Sequence, residues 1–207
     1  MTRYYKATRL DGTDFRTGTV LYEVGKRTTH PTSTKRTKNE PSTYLSVSTV
    51  PTDCTGFRWP CRLFAVEGVG KPVKAANLSN KRCFLAVDVV EELPAWQAFG
   101  PQGEQVASLI DRAGRLTADE ANSLYAAWAA AWEAAWFAAR AAARAAAWDA
   151  AWPAAREAAR PAAWDPAWPA ARDAAWALIV RDLITPDQFD TLTRPWVQVI
   201  NPTWRWL

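Results

Sequence analysis

From Trp128 to Trp176 every fourth residue is Trp or Arg, and the positions between them are mostly Ala. Eight of these thirteen positions are Trp (128, 132, 136, 148, 152, 164, 168, 176) and five are Arg (140, 144, 156, 160, 172). A larger unit overlies the tetrad. AWEAAWFAARAAARAA from Ala131, AWDAAWPAAREAARPA from Ala147 and AWDPAWPAARDAAWAL from Ala163 align without gaps as a sixteen-residue repeat. Ala, Arg and Glu are strong helix formers, so one continuous helix of roughly 50 Å is expected from near Ala118 to about Trp152. A four-residue step overshoots one helical turn by about 40°, so the large side chains wind around the helix instead of forming a fixed stripe. That geometry argues against a helix lying flat on a membrane. Pro153, Pro161, Pro166 and Pro169 interrupt the second half, which is expected to return alongside the first as kinked or broken helical pieces.

Each Trp carries ~200 Å² of surface to bury, so eight of them in water would be a large apolar area that needs a cover. The returning pieces, the N-terminal part or a second copy of the chain are the alternatives, and the expectation here is a homo-oligomer. Trp128, Trp132, Trp136, Arg140, Arg144, Trp148 and Trp152 then form the interaction surface. Trp136/Arg140, Trp152/Arg156 and Trp168/Arg172 are spaced to stack as cation–π pairs. The plainer alternative is a tolerated helical spacer.

Residues 1–94 read as a β-rich domain. Arg3–Leu10, an Asp11-Gly12 turn and Phe15–Val24 have the pattern of a hairpin. Tyr44–Val50, Arg62–Glu67 and Cys83–Val90 read as further strands, the last two apolar enough to be central. Residues 95–116 form a connecting helix, with Ala95–Gly114 helical in pattern. Residues 117–184 hold the repeat, and 185–207 a C-terminal helix over about Pro186–Thr193 with an irregular tail. Thr117…Glu120 and Thr185…Gln188 each read as a capping box, the second with Pro at the first helical position. The fold class is therefore α+β.

Chemistry is sparse. The net charge of +4 in 207 residues is mildly basic, with one His and three Cys. Cys54, Cys61 and Cys83 lack the CxxC spacing of a zinc or redox site and read as free thiols. No phosphate loop, dinucleotide fingerprint or hydrolase elbow is present, and no metal or cofactor is expected. The loop from Gly25 to Pro41 is rich in Thr and Lys. Its Lys26, Arg27, His30, Lys35, Arg36 and Lys38 are the candidate ligand-binding residues, suited to a phosphate-bearing ligand, a nucleotide or RNA. A solvated loop is the alternative. Tyr5, Ser46 and Glu67 loosely follow the order of first-strand aromatic, serine strand and strand-end glutamate in ADP-ribosyltransferase-type sheets. That similarity implies an NAD-using enzyme in which Glu67 orients a ribose hydroxyl. No charged-then-apolar leader and no run of about 20 uncharged apolar residues occur, so a cytoplasmic protein with no membrane contact is expected.

The segments YYKATRLDGTDFRTG, HPTSTK…PSTYLSVS…PTDCTG…WPCRLFAVE, NKRC…VVEELPAW, GPQGE…GRLTADEA and VRDLITPDQFDTLTRPW, with the repeat, cover nearly the whole chain. In these the chain resembles a group of proteins of actinobacteriophages and their hosts to which no activity is assigned. The resemblance implies a phage accessory protein in a bacterial cytoplasm, and it carries over no site residues. The function expected is a non-enzymatic, self-associating protein that presents its basic loop to a host factor or a phosphate-bearing ligand. The alternative is the NAD-dependent enzyme centred on Glu67.

Overall fold

The two-residue period of a strand over Arg3–Thr8 places Tyr4, Lys6 and Thr8 on one side and Arg3, Tyr5 and Ala7 on the other. This strand, β1, lies fourth in a seven-stranded sheet. The others are β2 (Arg27–Thr29), β3 (Leu45–Ser48), β4 (Arg62–Gly68), β5 (Val73–Lys74), β6 (Lys81–Phe84) and β7 (Ala86–Leu93). Their order is β2-β7-β4-β1-β3-β6-β5 and every pairing is antiparallel. The computed structural model describes residues 2–33, 40–54, 58–74, 80–131, 134–147 and 166–200. It is an α+β fold in two compact units, Met1–Ala98 and Phe99–Leu207.

One face of the sheet gathers Tyr4, Leu45, Val47, Phe64, Val66, Phe84, Val87 and Val89 into a core, joined by Tyr22 and Val20 from the chain after β1. Tyr4 and Phe84 are in ring contact, with centroids 5.2 Å apart. Gly68 ends β4 against this core, and a Cβ built there would meet the Phe84 ring at 2.0 Å. β1 and β4 pair over six consecutive residues, but β1 and β3 share the single register pair Tyr5↔Ser48.

Two strand expectations are corrected. The Asp11-Gly12 turn forms, with Gly12 at φ 84, but Phe15–Val24 is a loop, tied back by an isolated Thr13↔Leu21 bridge and by backbone bonds from Asp14 to Val20 and from Tyr22 to Gly12. The cause is Asp14, whose carboxylate accepts from the backbone N–H groups of Arg16, Thr17, Thr19 and Val20 and from the Thr17 hydroxyl. Local side-chain bonds of this kind compete with ladder pairing. The single strand expected over Cys83–Val90 is divided between β6 and β7 with Leu85 between them.

The second unit contains α1 (Gly103–Ala113), α2 (Ala118–Ala130), α3 (Ala134–Ala147), α4 (Trp168–Ile179) and α5 (Pro186–Val199). The helix expected over Ala95–Gly114 starts instead with a 3₁₀ segment, Ala95–Phe99, and breaks at Gly100, which has φ 95. Both capping boxes form, Thr117 with Glu120 and Thr185 with Gln188.

The continuous helix expected from Ala118 to about Trp152 is two helices. α2 closes at Ala131, whose N–H bonds the carbonyls of Ala127 and Trp128. The physical reason lies in the period. The buried rows are Ala121 and Leu124 on α2, and Trp136, Ala139 and Ala143 on α3. These follow the helical spacing of three and four, not the tetrad. A straight helix would carry its Trp/Arg row off that face, whereas a break lets each half present its own apolar row to α4 and α5, against which both pack. α4 is buried almost all round, through Ala170, Ala171, Ala174, Ala175, Trp176, Ala177 and Leu178. Pro169 sits in its first turn, where a missing N–H is tolerated. The last helix outruns its expected end at Thr193, continuing through Pro195 to Val199 and burying Trp196.

Trp136 and Trp176 are covered by the chain itself, with 0% and 3% of their surface exposed. Their neighbourhood holds a buried charge. Asp173 on α4 is fully buried, accepts a 3.0 Å bond from Trp128 Nε1 on α2, and faces Arg172 at 3.3 Å and Arg140 of α3 at 3.7 Å. Arg140 stacks over Trp136 and Arg172 over Trp168, with guanidinium carbons 5.0 and 4.3 Å from the ring centroids. Trp132, Trp148, Trp152 and the side chain of Arg144 lie outside the described residues, as does the Trp152/Arg156 pair.

Candidate functional site

Past Tyr5↔Ser48 the ladder between β1 and β3 stops, and a cavity of about 590 Å³ is lined by residues of both strands. Tyr5, Lys6 and Ala7 come from β1; Leu45, Ser46 and Ser48 come from β3, preceded by Tyr44. The Asp14 loop, Tyr22, His30, Cys54, Arg58 and Lys81 complete the wall. Consecutive residues of a strand point to opposite sides, so a wall including Tyr5, Lys6 and Ala7 belongs to the strand's edge rather than to one sheet face.

The charge is one-sided. Lys6, Arg16, Arg58 and Lys81 line the cavity, and Asp14 is the one carboxylate among the lining residues. Lys81 is only 7% exposed, yet among the described residues its ammonium donates to the Ser48 hydroxyl, at 2.6 Å. Ser48 passes that bond on to the Asp53 carbonyl at 2.7 Å. Lys6 Nζ donates to the Ser46 carbonyl at 3.2 Å and lies 5.3 Å above the centroid of the Tyr22 ring. Among the described residues neither lysine has a carboxylate within ion-pair distance.

Titration follows from this geometry. Burial, reinforced by the Lys81 charge, lowers the Lys6 ammonium to about 8. Burial also lowers Lys81, with Cys54 and Asp53 opposing. Burial alone would raise Asp14, but the bonds from Thr17 and Val20 and the Lys6 charge outweigh it and hold the carboxyl at about 2. Burial raises the Cys54 thiol despite both lysines. Tyr22 is 1% exposed, its hydroxyl has no hydrogen-bond partner among the described residues, and burial raises its ionisation well above the ordinary value. A buried donor without an acceptor costs about 1–3 kcal/mol.

The expected site residues divide. Tyr5, Ser46 and His30 line the cavity; Glu67 does not. Glu67 sits farther along β4, opposite Arg3 and Asp88. His30 Nδ1 accepts from the Ser33 N–H at 3.0 Å, which fixes its ring beside the wall. Lys26 and Arg27 do not line the cavity; they hold Glu23 at 2.7 Å and Asp88 at 2.7 and 2.9 Å. Lys35, Arg36 and Lys38 lie outside the described residues. Sequence reasoning missed Lys6, Asp14, Tyr22 and Lys81. Lys6 and Lys81 stand inside otherwise β-forming runs where a charged residue on a buried strand was the available signal. Cys54, Cys61 and Cys83 are buried and in no disulfide, and among the described residues no group of acidic, His and Cys side chains has metal-binding geometry. No described helix is long and apolar enough to cross a membrane.

Comparison with protein-family models, curated proteins and solved structures finds no match.

Proposed function

We propose that this chain is a phage accessory protein, as its resemblance to actinobacteriophage proteins suggests, and that it works by binding a small phosphate-bearing ligand in the cavity between β1 and β3. One observation carries the reading: buried Lys81, whose ammonium among the described residues donates to a hydroxyl, shares with Lys6 a wall of four cations and one carboxylate. Burying an ammonium is costly unless a counter-charge joins it, and a phosphate supplies both the charge and the acceptors. The basic loop then contributes His30 at the wall instead of acting as the binding surface in its own right. The NAD-using alternative needs its glutamate at the cavity, and Asp14, clamped in its own loop, is the carboxylate found there.

Titration calorimetry with inorganic phosphate and with adenosine monophosphate at low salt tests the reading. Saturable binding that weakens in salt and drops about ten- to a hundred-fold in Lys81→Met is expected, from the 1.5–3 kcal/mol of a charged hydrogen bond. Absence of binding at millimolar phosphate refutes it. Self-association through α2 and α3 belongs to the same proposal and is supported by the exposed Tyr125 and Phe137, 48% and 52% accessible. Sedimentation at tens of micromolar checks it, and a monomer there removes that part.

A further inference from the structure

The pairing of Lys6 with Lys81 says more about the ligand than its charge. We infer that Lys6 is a nucleophilic amine that captures the carbonyl carbon of a phosphate-bearing aldehyde as an imine, with the neighbouring cations holding the phosphate. The inference rests on the phosphate-binding reading above and adds a covalent step to it.

Three features of the geometry support the step. Lys6 lines an open cavity, its Nζ held by one carbonyl at 3.2 Å and by the face of Tyr22; among the described residues no carboxylate is within ion-pair distance, and the more distant Asp14 charge only partly offsets burial and the Lys81 charge. Lys81, held by Ser48, lines the same wall, and its charge acts on Lys6. Tyr22 offers a buried hydroxyl with no partner among the described residues. A lysine desolvated next to another cation is the general recipe for an amine that is neutral, and so nucleophilic, near physiological pH. With Lys6 at about 8 against an ordinary 10.5, the neutral fraction at pH 7 rises roughly three-hundred-fold.

The chemistry balances without a redox partner. Lys6 releases a proton to solvent, and its nitrogen lone pair forms a C–N bond as the carbonyl π pair moves to oxygen. That oxygen takes up a proton and the nitrogen gives one up, which leaves the neutral carbinolamine. A second proton on the hydroxyl releases water as the C=N bond forms. Overall one ammonium and one aldehyde become one protonated imine and one water.

Pyridoxal 5′-phosphate is a suitable probe, with borohydride reduction and peptide mass mapping of the whole chain. At substoichiometric probe the first adduct should map to Lys6, form at least tenfold faster than on any other lysine, and be suppressed by excess inorganic phosphate. With unphosphorylated pyridoxal the labelling rate of Lys6 should rise with a midpoint near pH 8. In Lys81→Met that midpoint should move toward ordinary lysine, slowing labelling at pH 7 about tenfold. Labelling spread over surface lysines, or a Lys6 rate still climbing beyond pH 10, overturns the inference. Calorimetry with inorganic phosphate separates the two readings: phosphate binding without Lys6 labelling leaves the binding site and removes the amine, whereas loss of both removes both. Lys6→Met should abolish the fast adduct, and if that variant fails to fold, the mapping and pH midpoint of the natural chain still decide.

Discussion

At the scale of single residues, Asp14 and Lys81 are opposite cases of a buried charge. The Asp14 carboxylate is satisfied by its own loop, and its ionisation is held at about 2 against an ordinary 3.8. A depressed acid stabilises the fold above pH 3.8 and loses that contribution as pH falls toward 2, an amount of about 2 kcal/mol. Asp14→Ala should therefore cost about 2 kcal/mol in urea unfolding at pH 7, with the gap from the natural chain closing near pH 2. Lys6 is a base lowered to about 8, so the unfolded chain binds more protons than the folded one between about 8 and 10.5, and Lys81, lowered by burial too, acts in the same direction. Stability attributable to these groups rises with pH across that window. Lys81→Met, which keeps the stem and removes the charge, should raise the melting temperature at pH 7 while weakening phosphate binding. A lower melting temperature would mean that the ammonium is structural. Gly68 belongs here too: Gly68→Ala forces a methyl into the Phe84 ring and should destabilise by about 2–3 kcal/mol in the same unfolding assay.

At the scale of elements, the buried Asp173 ties three helices together. Removing it takes away the carboxylate that Arg140 and Arg172 both face and the acceptor of the Trp128 Nε1 bond. Asp173→Ala should cost about 3–5 kcal/mol by thermal or urea unfolding, far more than the roughly 1 kcal/mol expected for losing the Thr117 cap in Thr117→Ala. The contrast shows what a sequence makes legible. Capping boxes are local, and both were readable from four residues. Helix identity was readable from Ala content, but the break at Ala131 was not, because it depends on which face α4 and α5 leave to be filled. The Phe15–Val24 strand misled because β-forming residues surround an Asp whose side chain out-competes the ladder. The cavity was legible in part: Tyr5, Ser46 and His30 are there. Lys6 and Lys81 share the cavity wall because β1 and β6 both flank β3, and no motif links residues so far apart in the chain.

At the scale of the whole molecule, the two units give ligand binding a local signature. A ligand at a hundred times its dissociation constant adds about 2.7 kcal/mol to whatever it holds folded. Phosphate should therefore raise the unfolding transition of the unit Met1–Ala98, read from the protection of its amides in hydrogen exchange, and leave the amides of α2 to α5 unmoved. The sheet sharpens the expectation. β2-β7-β4-β1 is one ladder and β3-β6-β5 another, and the two share a single rung at Tyr5↔Ser48. A seam so thinly stitched lets the smaller ladder breathe against the larger one. Whatever fills the gap beyond that rung acts as mortar, so the guest is also part of the masonry.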